Sequence, residues 1–289
     1  MRWHFCARTD VGRTRERNED NFLVFETCNQ RGEGRAPALP KNGVIGSLTK
    51  EPLATEVPSG LLVVADGMGG HANGNVASLS AVSTLREWYE KRQPYAADLD
   101  RHKVETEALM DLAHAIGRAN IEIFRKNRGA FSIEGMGTTI VALLCFHRYV
   151  VTACVGDSRI YLLRDGTLKQ VTKDHSLIEE LIRYNIIGEQ DVFLNPNKNI
   201  ITRALGMNET VEVDTQLLDT KPGDVWLLCS DGLTDMVEDK WIESTLSELD
   251  DPNHDLLSAT NHLVDLANER GGIDNITVML GRCSETKTP

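Results

Sequence analysis

The sequence predicts an α+β fold made of antiparallel sheets with helices packed outside them. Three observations lead there. Short β-rich runs and helical patterns arrive in blocks and not in strict βα alternation. The runs Thr139–Phe146 and Tyr149–Val155 are joined by only His147-Arg148, and Arg159–Arg164 is followed by Asp165-Gly166, so both places read as hairpins. Apolar residues recur at helical spacing at Leu109, Leu112, Ala113, Ile116, Ala119 and Ile123.

The remaining elements follow in order. Strands are expected at Phe22–Phe25, Leu61–Ala65, Val211–Leu218, Val225–Cys229 and Ile276–Gly281, each a short run of β-branched, aromatic or leucine residues. Val76–Tyr89, rich in Ala, Ser and Leu, reads as a helix that ends before Pro94. His254–Asn268 reads as another, stopped by Gly271-Gly272. Cys28–Ser59 is rich in Gly, Pro, Lys and Thr and lacks periodicity; it is expected to be a partly disordered surface insertion, over about residues 28–59. In 174–206, Leu177, Ile178, Leu181 and Ile182 mark a short amphipathic helix and Asn195-Pro196-Asn197 a turn.

The chain has 289 residues, 41% of them apolar and 26% charged, enough for a sizeable core. Its net charge of −12 disfavours nucleic acid or an anionic membrane as a general partner. The six cysteines show no CxxC spacing, which supports neither a zinc site nor a disulfide framework. Cys145, Cys154 and Cys229 lie in apolar runs and read as buried small hydrophobes. With no signal-peptide pattern and no apolar stretch of membrane-spanning length, the expected location is a reducing cytoplasm.

Chemistry concentrates in acidic clusters at the edges of apolar runs. They are Asn18-Glu19-Asp20-Asn21, Asp66-Gly67-Met68-Gly69-Gly70-His71, Gly156-Asp157-Ser158-Arg159, Ser230-Asp231-Gly232 and Asp274-Asn275. Several carboxylates converging on one place repel one another unless cations stand between them. All-oxygen donors of this kind suit hard divalent ions such as Mg2+ or Mn2+. Taken singly each cluster is weak, since Asp-Gly is a common turn and Gly156-Asp157 alone would serve as a hairpin cap. The glycines at 67–70 lack GxGxxG spacing, and Asp66 would repel a pyrophosphate.

Their order and wording resemble the metal-dependent Ser/Thr protein phosphatases, the PPM or type 2C family, in its bacterial form, from about Thr9 to Gly281. The resemblance implies one phosphatase domain over 1–289: two antiparallel sheets in a β-sandwich flanked by pairs of helices, a four-layer α/β/β/α arrangement. It implies a flap subdomain at about 174–206, with Asn185 where relatives often have Gly. Hydrolysis of a phosphate monoester calls for accelerations up to ~10²¹, and two ions about 4 Å apart meet the need by activating a shared water. Asp66, after a fully apolar strand, is the expected bridging ligand of two Mn2+ or Mg2+ ions, and the Gly67 carbonyl is expected on one of them. Asp231 and Asp274 should share an ion, while Glu19 and Asp20 match an early acidic pair that acts mostly through metal-bound waters. Asp157 matches the position that helps hold a third, weaker ion in bacterial relatives.

Arg15, five residues before Asp20, stands where the family places its phosphate-binding arginine, with Arg13 and Arg17 on either side. His71 has two open roles, proton donation to the leaving alkoxide or packing. Thr138 and Thr139 read as structural. The implied activity is phosphoserine/phosphothreonine hydrolysis opposing a bacterial Ser/Thr kinase. The implied partners are phosphorylated proteins, a Ser/Thr kinase and its substrates, and the chain is expected to be a monomer. No cysteine has Arg six residues on, so a thiolate phosphatase is unsupported. Two rivals stand beside this reading: a pseudophosphatase that only binds phosphorylated partners, disfavoured by the presence of Asp66, Asp231 and Asp274, and a sporulation-type phosphatase of one small regulator.

Overall fold

The computed structural model describes residues 1–26, 44–46, 53–57, 59–69, 73–91, 100–128, 135–188, 200–250 and 254–285. In chain order the first half holds β1 (Arg2–Asp10), β2 (Asn21–Glu26), β3 (Val44–Gly46), β4 (Leu53–Val57), β5 (Gly60–Ala65), β6 (Gly67–Met68), α1 (Asn73–Lys91), α2 (Arg101–Lys103) and α3 (Leu109–Asn127). Then come β7 (Gly137–Thr138), β8 (Ile140–Cys145), β9 (Tyr149–Val155), β10 (Arg159–Arg164), β11 (Thr167–Gln170) and α4 (Leu177–Arg183). The chain continues with β12 (Asp214–Asp219), β13 (Val225–Cys229), α5 (Asp231–Thr234), α6 (Asp239–Ser247), α7 (Leu256–Glu269) and β14 (Ile276–Ser284).

Two six-stranded antiparallel sheets form the centre, in the orders β11-β10-β13-β14-β1-β4 and β12-β9-β8-β5-β2-β3. Side chains alternate across each strand, so strands buried on both faces read as unbroken apolar runs. Along β5, Leu62 and Val64 join the core between the sheets, while Leu61, Val63 and Ala65 face α1 and α3. Along β13, Trp226 and Leu228 face the other sheet, while Val225, Leu227 and Cys229 meet α6 and α7. Three separate apolar cores thus fill the spaces between four layers, which is the expected α/β/β/α sandwich. Each fully buried Leu, Val or Phe in them contributes about 1.5–3 kcal/mol of transfer free energy.

Local signals account for the connections. Asp165 and Gly166 both take positive φ, 53° and 74°, as the turn between β10 and β11 requires. Asp255 caps α7 by accepting from Ser258 N–H at 2.7 Å, and Gly271 and Gly272 end that helix with positive φ. Asn185 ends the turn after α4 at φ 55°, a left-handed position that Asn tolerates.

Three expectations need correction, and a fourth, the helix from Leu109, is extended. β1 was absent from the sequence-based strand set, yet it lies between β14 and β4 and pairs with β14 over nine residues. The 28–59 insertion includes two strands: β3 extends one sheet beside β2, and β4 extends the other beside β1. Its remaining residues, except Ser59, lie outside the described residues, as does Asn195-Pro196-Asn197. The strand expected at Val211–Leu218 forms at Asp214–Asp219. The helix expected to begin at Leu109 is preceded by α2 and a π-helical turn, Val104–Ala108, whose Val104 and Ala108 belong to the α1/α3 core.

Candidate active site

Antiparallel register brings the acidic clusters to one end of the sandwich. Asn21 opposes Ala65, so Asp20 at the start of β2 adjoins Asp66 at the end of β5. Cys229 opposes both Val278 and Arg159, and Asp10 opposes Ile276, which gathers Asp231, Asp157, Asp274 and the loop after β1. The sheets meet at Asp20, whose Oδ2 accepts from Ser230 Oγ at 2.8 Å and Thr277 Oγ1 at 2.6 Å.

Glycines make this closeness possible. A Cβ on Gly67 would stand 2.2 Å from the Gly74 carbonyl and 2.6 Å from that of Glu19. A Cβ on Gly232 would stand 2.0 Å from the Asn275 carbonyl. Backbone therefore packs directly on backbone at both Asp-Gly turns. Two threonines clamp Asp66: Thr138 Oγ1 donates to its carbonyl at 2.7 Å, and Asp66 N–H donates to Thr139 Oγ1 at 3.2 Å. Thr139 also bonds Ser158 at 2.7 Å, beside Asp157. Gly156 N–H donates to His175 Nδ1 at 3.0 Å, and His175 N–H to the Gly156 carbonyl at 2.9 Å, fixing the Asp157 turn to the segment leading into α4. His175 Nε2 lies 3.3 Å from Asp214, and burial lowers the pKa of the imidazole. Arg203 Nη1 stands 3.1 Å from the same Nε2, so Asp214 and Arg203 both meet the ring at its outer nitrogen.

The electrostatics are those of charge crowded without counter-charge. Asp20 is fully buried, whereas Asp66, Asp157 and Asp231 keep part of their surface open. Burial is nonetheless the largest cause of a raised pKa at all four, followed by their mutual repulsion: Asp20 is pushed up to about 7, Asp157 to about 8 and Asp231 to about 6. Asp66 lies well above the usual carboxylate range through burial and the charges of Asp20, Asp231 and Asp157, and it shares a hydrogen bond with Asp231. Arg15 is the cation at the rim, donating to Asp274 at 2.5 Å while half exposed. One carboxylate oxygen on each of Asp20, Asp157 and Asp231 is buried with no partner.

Among the described residues no three His, Cys, Asp or Glu side chains are already closed around one point as a metal cage. The buried oxygens without a protein partner, and the donor set of carboxylates and backbone carbonyl, suit hard divalent ions. His71 lies outside the described residues. Ser230, Thr277, Asn275 and His175 hold the acidic groups in place; the sequence names Ser230 and Asn275 only as members of acidic clusters, and Thr277 and His175 not at all. The signal for the first two was a hydroxyl residue abutting an apolar run.

A family model described as protein phosphatase 2C matches residues 53–266. The chain belongs to the protein phosphatase 2C family. It is 38% identical over 277 residues to the serine/threonine phosphatase stp of Listeria monocytogenes, an overlap covering 96% of this chain and 94% of that one. The Mycobacterium tuberculosis serine/threonine phosphatase PstP/Ppp shares its fold with a TM-score of 0.75 at 31% identity, over 99% of this chain and 100% of that one. The catalytic domain of PstP in complex with 2 manganese ions gives 0.73 at 30% identity, over 99% and 100%. As a type 2C protein the chain is a metal-dependent serine/threonine protein phosphatase, a hydrolase acting on phosphorylated proteins with Mn2+ or Mg2+. A thiolate route has no candidate among Cys145, Cys154 and Cys229, whose thiols burial pushes up, to about 12 at Cys229. No helix among the described residues is long and apolar enough to cross a membrane.

Proposed function

We propose that two divalent ions sit at the mouth of the sandwich with Asp66 between them, and that a third binds more weakly beside Asp157. Asp231 and Asp274 would share one ion of the pair, the Gly67 carbonyl would reach one of the two, and Glu19 and Asp20 would act mostly through water. The observation that carries this reading is the set of buried, unpartnered oxygens on Asp20, Asp157 and Asp231. Bound there, Mn2+ or Mg2+ supplies positive charge against the phosphate and lowers the pKa of the attacking water.

The chain's own residues do the rest. Thr138 and Thr139 fix the backbone of Asp66, and so the place from which its side chain projects. Asp66 and Asp231 face each other, and burial with the neighbouring charges raises the pKa of both, so a divalent ion bound between them would relieve that repulsion. Arg15 turns its guanidinium from Asp274 to the substrate phosphate, which it grips bidentately while staying charged. His71 keeps its two roles, proton donor or packing group.

The reading takes residues 1–289 as one phosphatase domain, a monomer working in the cytoplasm. It reverses a Ser/Thr kinase, whose own phosphorylated form and substrates are the partners. Support comes from the relatives' names and from five cysteines that are free and buried. The test is hydrolysis of a phosphothreonine peptide with Mn2+, with Mg2+ and with excess EDTA. Turnover that appears with either ion and vanishes with EDTA is expected; turnover that persists in EDTA overturns the ion assignment.

A further inference from the structure

The loop between β1 and β2 carries three arginines at alternate positions, Arg13, Arg15 and Arg17, all exposed. Arg15 pairs with Asp274. Among the described residues the guanidiniums of Arg13 and Arg17 have neither an ion pair nor a hydrogen bond. Four other arginines of this acidic chain are neutralised, Arg8 by Asp265, Arg159 by Asp174, Arg164 by Asp224 and Arg203 by Asp214; what sets Arg13 and Arg17 apart is their place on either side of Arg15. One acidic residue, Glu16, interrupts the set and leaves residues 11–18 with a net charge of +2 (Arg13, Arg15, Arg17 against Glu16).

The loop is also rigidly held. Asn275 Nδ2 donates to the carbonyls of Val11 and Arg17 at 2.9 Å each, and its Oδ1 accepts from Glu19 N–H at 2.7 Å. Arg13 N–H donates to the Gly272 carbonyl at 2.7 Å, and Gly12 packs so closely that a Cβ there would stand 2.2 Å from the Asp274 carbonyl. The backbone that carries the two unpaired cations is therefore fixed before any ligand arrives, which reduces the ordering cost of binding. Two residues of backbone span at most about 7 Å, so the Cα atoms of Arg13 and Arg17 each stand within about 7 Å of that of Arg15, and their side chains can reach the residues flanking a phosphate held there.

We propose that Arg13 and Arg17 select phosphopeptides with acidic residues flanking the phosphorylated Ser or Thr. This rests on the reading of Arg15 as the phosphate grip. The chain as a whole is acidic and favours basic peptides at long range; the arginine loop reverses that sign at the rim where the peptide chain leaves the phosphate. Flanking Asp or Glu side chains pair with Arg13 and Arg17, whereas Lys or Arg at the same positions are repelled.

The experiment uses the Mn2+-loaded full chain and three phosphothreonine peptides that differ only in flanks of Glu, Ala or Lys. For the unaltered protein, kcat/KM for the Glu peptide should exceed that for the Lys peptide by about tenfold, as two rim pairs allow. The effect should lie in KM and shrink with added salt. In R13Q/R17Q the Glu-to-Lys ratio should fall toward one, and in R13E/R17E it should invert. A ratio the same in all three proteins, or no preference in the unaltered one, overturns the proposal. Loss of Mn2+-dependent turnover on every peptide by the unaltered protein would instead sink the phosphatase reading of the site, and this selection with it.

Discussion

Strand β13 has a buried aspartate just before its first residue and a partly open one two residues after its last, and the two ends have opposite chemistry. Asp224, 2% exposed, is saturated: Arg164 donates to it at 2.8 and 2.6 Å, Lys221 N–H at 2.7 Å and Thr220 Oγ1 at 3.1 Å. Asp231 has a buried oxygen with no partner, Asp66 and Asp274 for neighbours, and a pKa pushed up to about 6. A buried carboxylate in a water-soluble scaffold is either neutralised by the protein or held ready for something else. One end of β13 is architecture; the other carries the charge that the proposed cation site would use.

The sharpest way to break this contrast is at Asp66. Asp66→Asn should lower phosphopeptide turnover by about 10³-fold or more, on the scale of losing a central transition-state contact, with a melting temperature at least as high as the parent's in EDTA because one crowded charge is gone. Retained turnover would end the bridging assignment. Asp224→Ala should do the reverse. It leaves Arg164 and the Lys221 N–H without their partner and should cost about 3 kcal/mol in urea unfolding, while turnover per folded molecule stays near the parent value. A smaller effect is expected of the pair Ser230→Ala with Thr277→Val, which removes both hydroxyls from Asp20. Mn2+ affinity read by calorimetry should weaken about 10–100-fold, as for other groups that orient ligands; an unchanged affinity would make those hydroxyls mere packing.

The smallest effect concerns pH. Unfolded aspartates lose their protons near pH 4, whereas the ion-free fold retains them up to about 6 at Asp231, 7 at Asp20 and 8 at Asp157. The folded state binds more protons across that window, so its stability falls as pH rises through it. The ion-free melting temperature should drop on the order of 5 °C between pH 5 and 8.5, and saturating Mn2+ should remove the slope. An ion-free protein equally stable across the range would show that the carboxylates are not crowded.

Much of this contrast was legible before any coordinates. Asp66 and Asp231 announce themselves because each directly follows, or stands one residue beyond, an apolar run that two buried strand faces require. The hairpins were legible because the turn chemistry of Asp165-Gly166 is local. What escaped depends on distant partners. β1 mixes half-buried His4 and Arg8 with its buried residues and becomes a strand by lying between β14 and β4. The edge strands β3 and β4 exist through pairing with β2 and β1, which no local pattern records. The same holds for Ser230, Thr277 and Asn275, ordinary residues until the register brings Asp20 and the arginine loop against them.

The pairing of β1 with β14 joins Arg2 to Ser284 and Asp10 to Ile276. Arg15 and Asp20 are made early in translation, but Thr277 and the strand that carries it are made some 250 residues later. A nascent chain that has not yet reached β14 therefore lacks Asn275 and Thr277, the residues that tie the loop after β1 and Asp20 into the mouth of the sandwich: the two ends of the site are made far apart in time and meet only when β14 zips against β1.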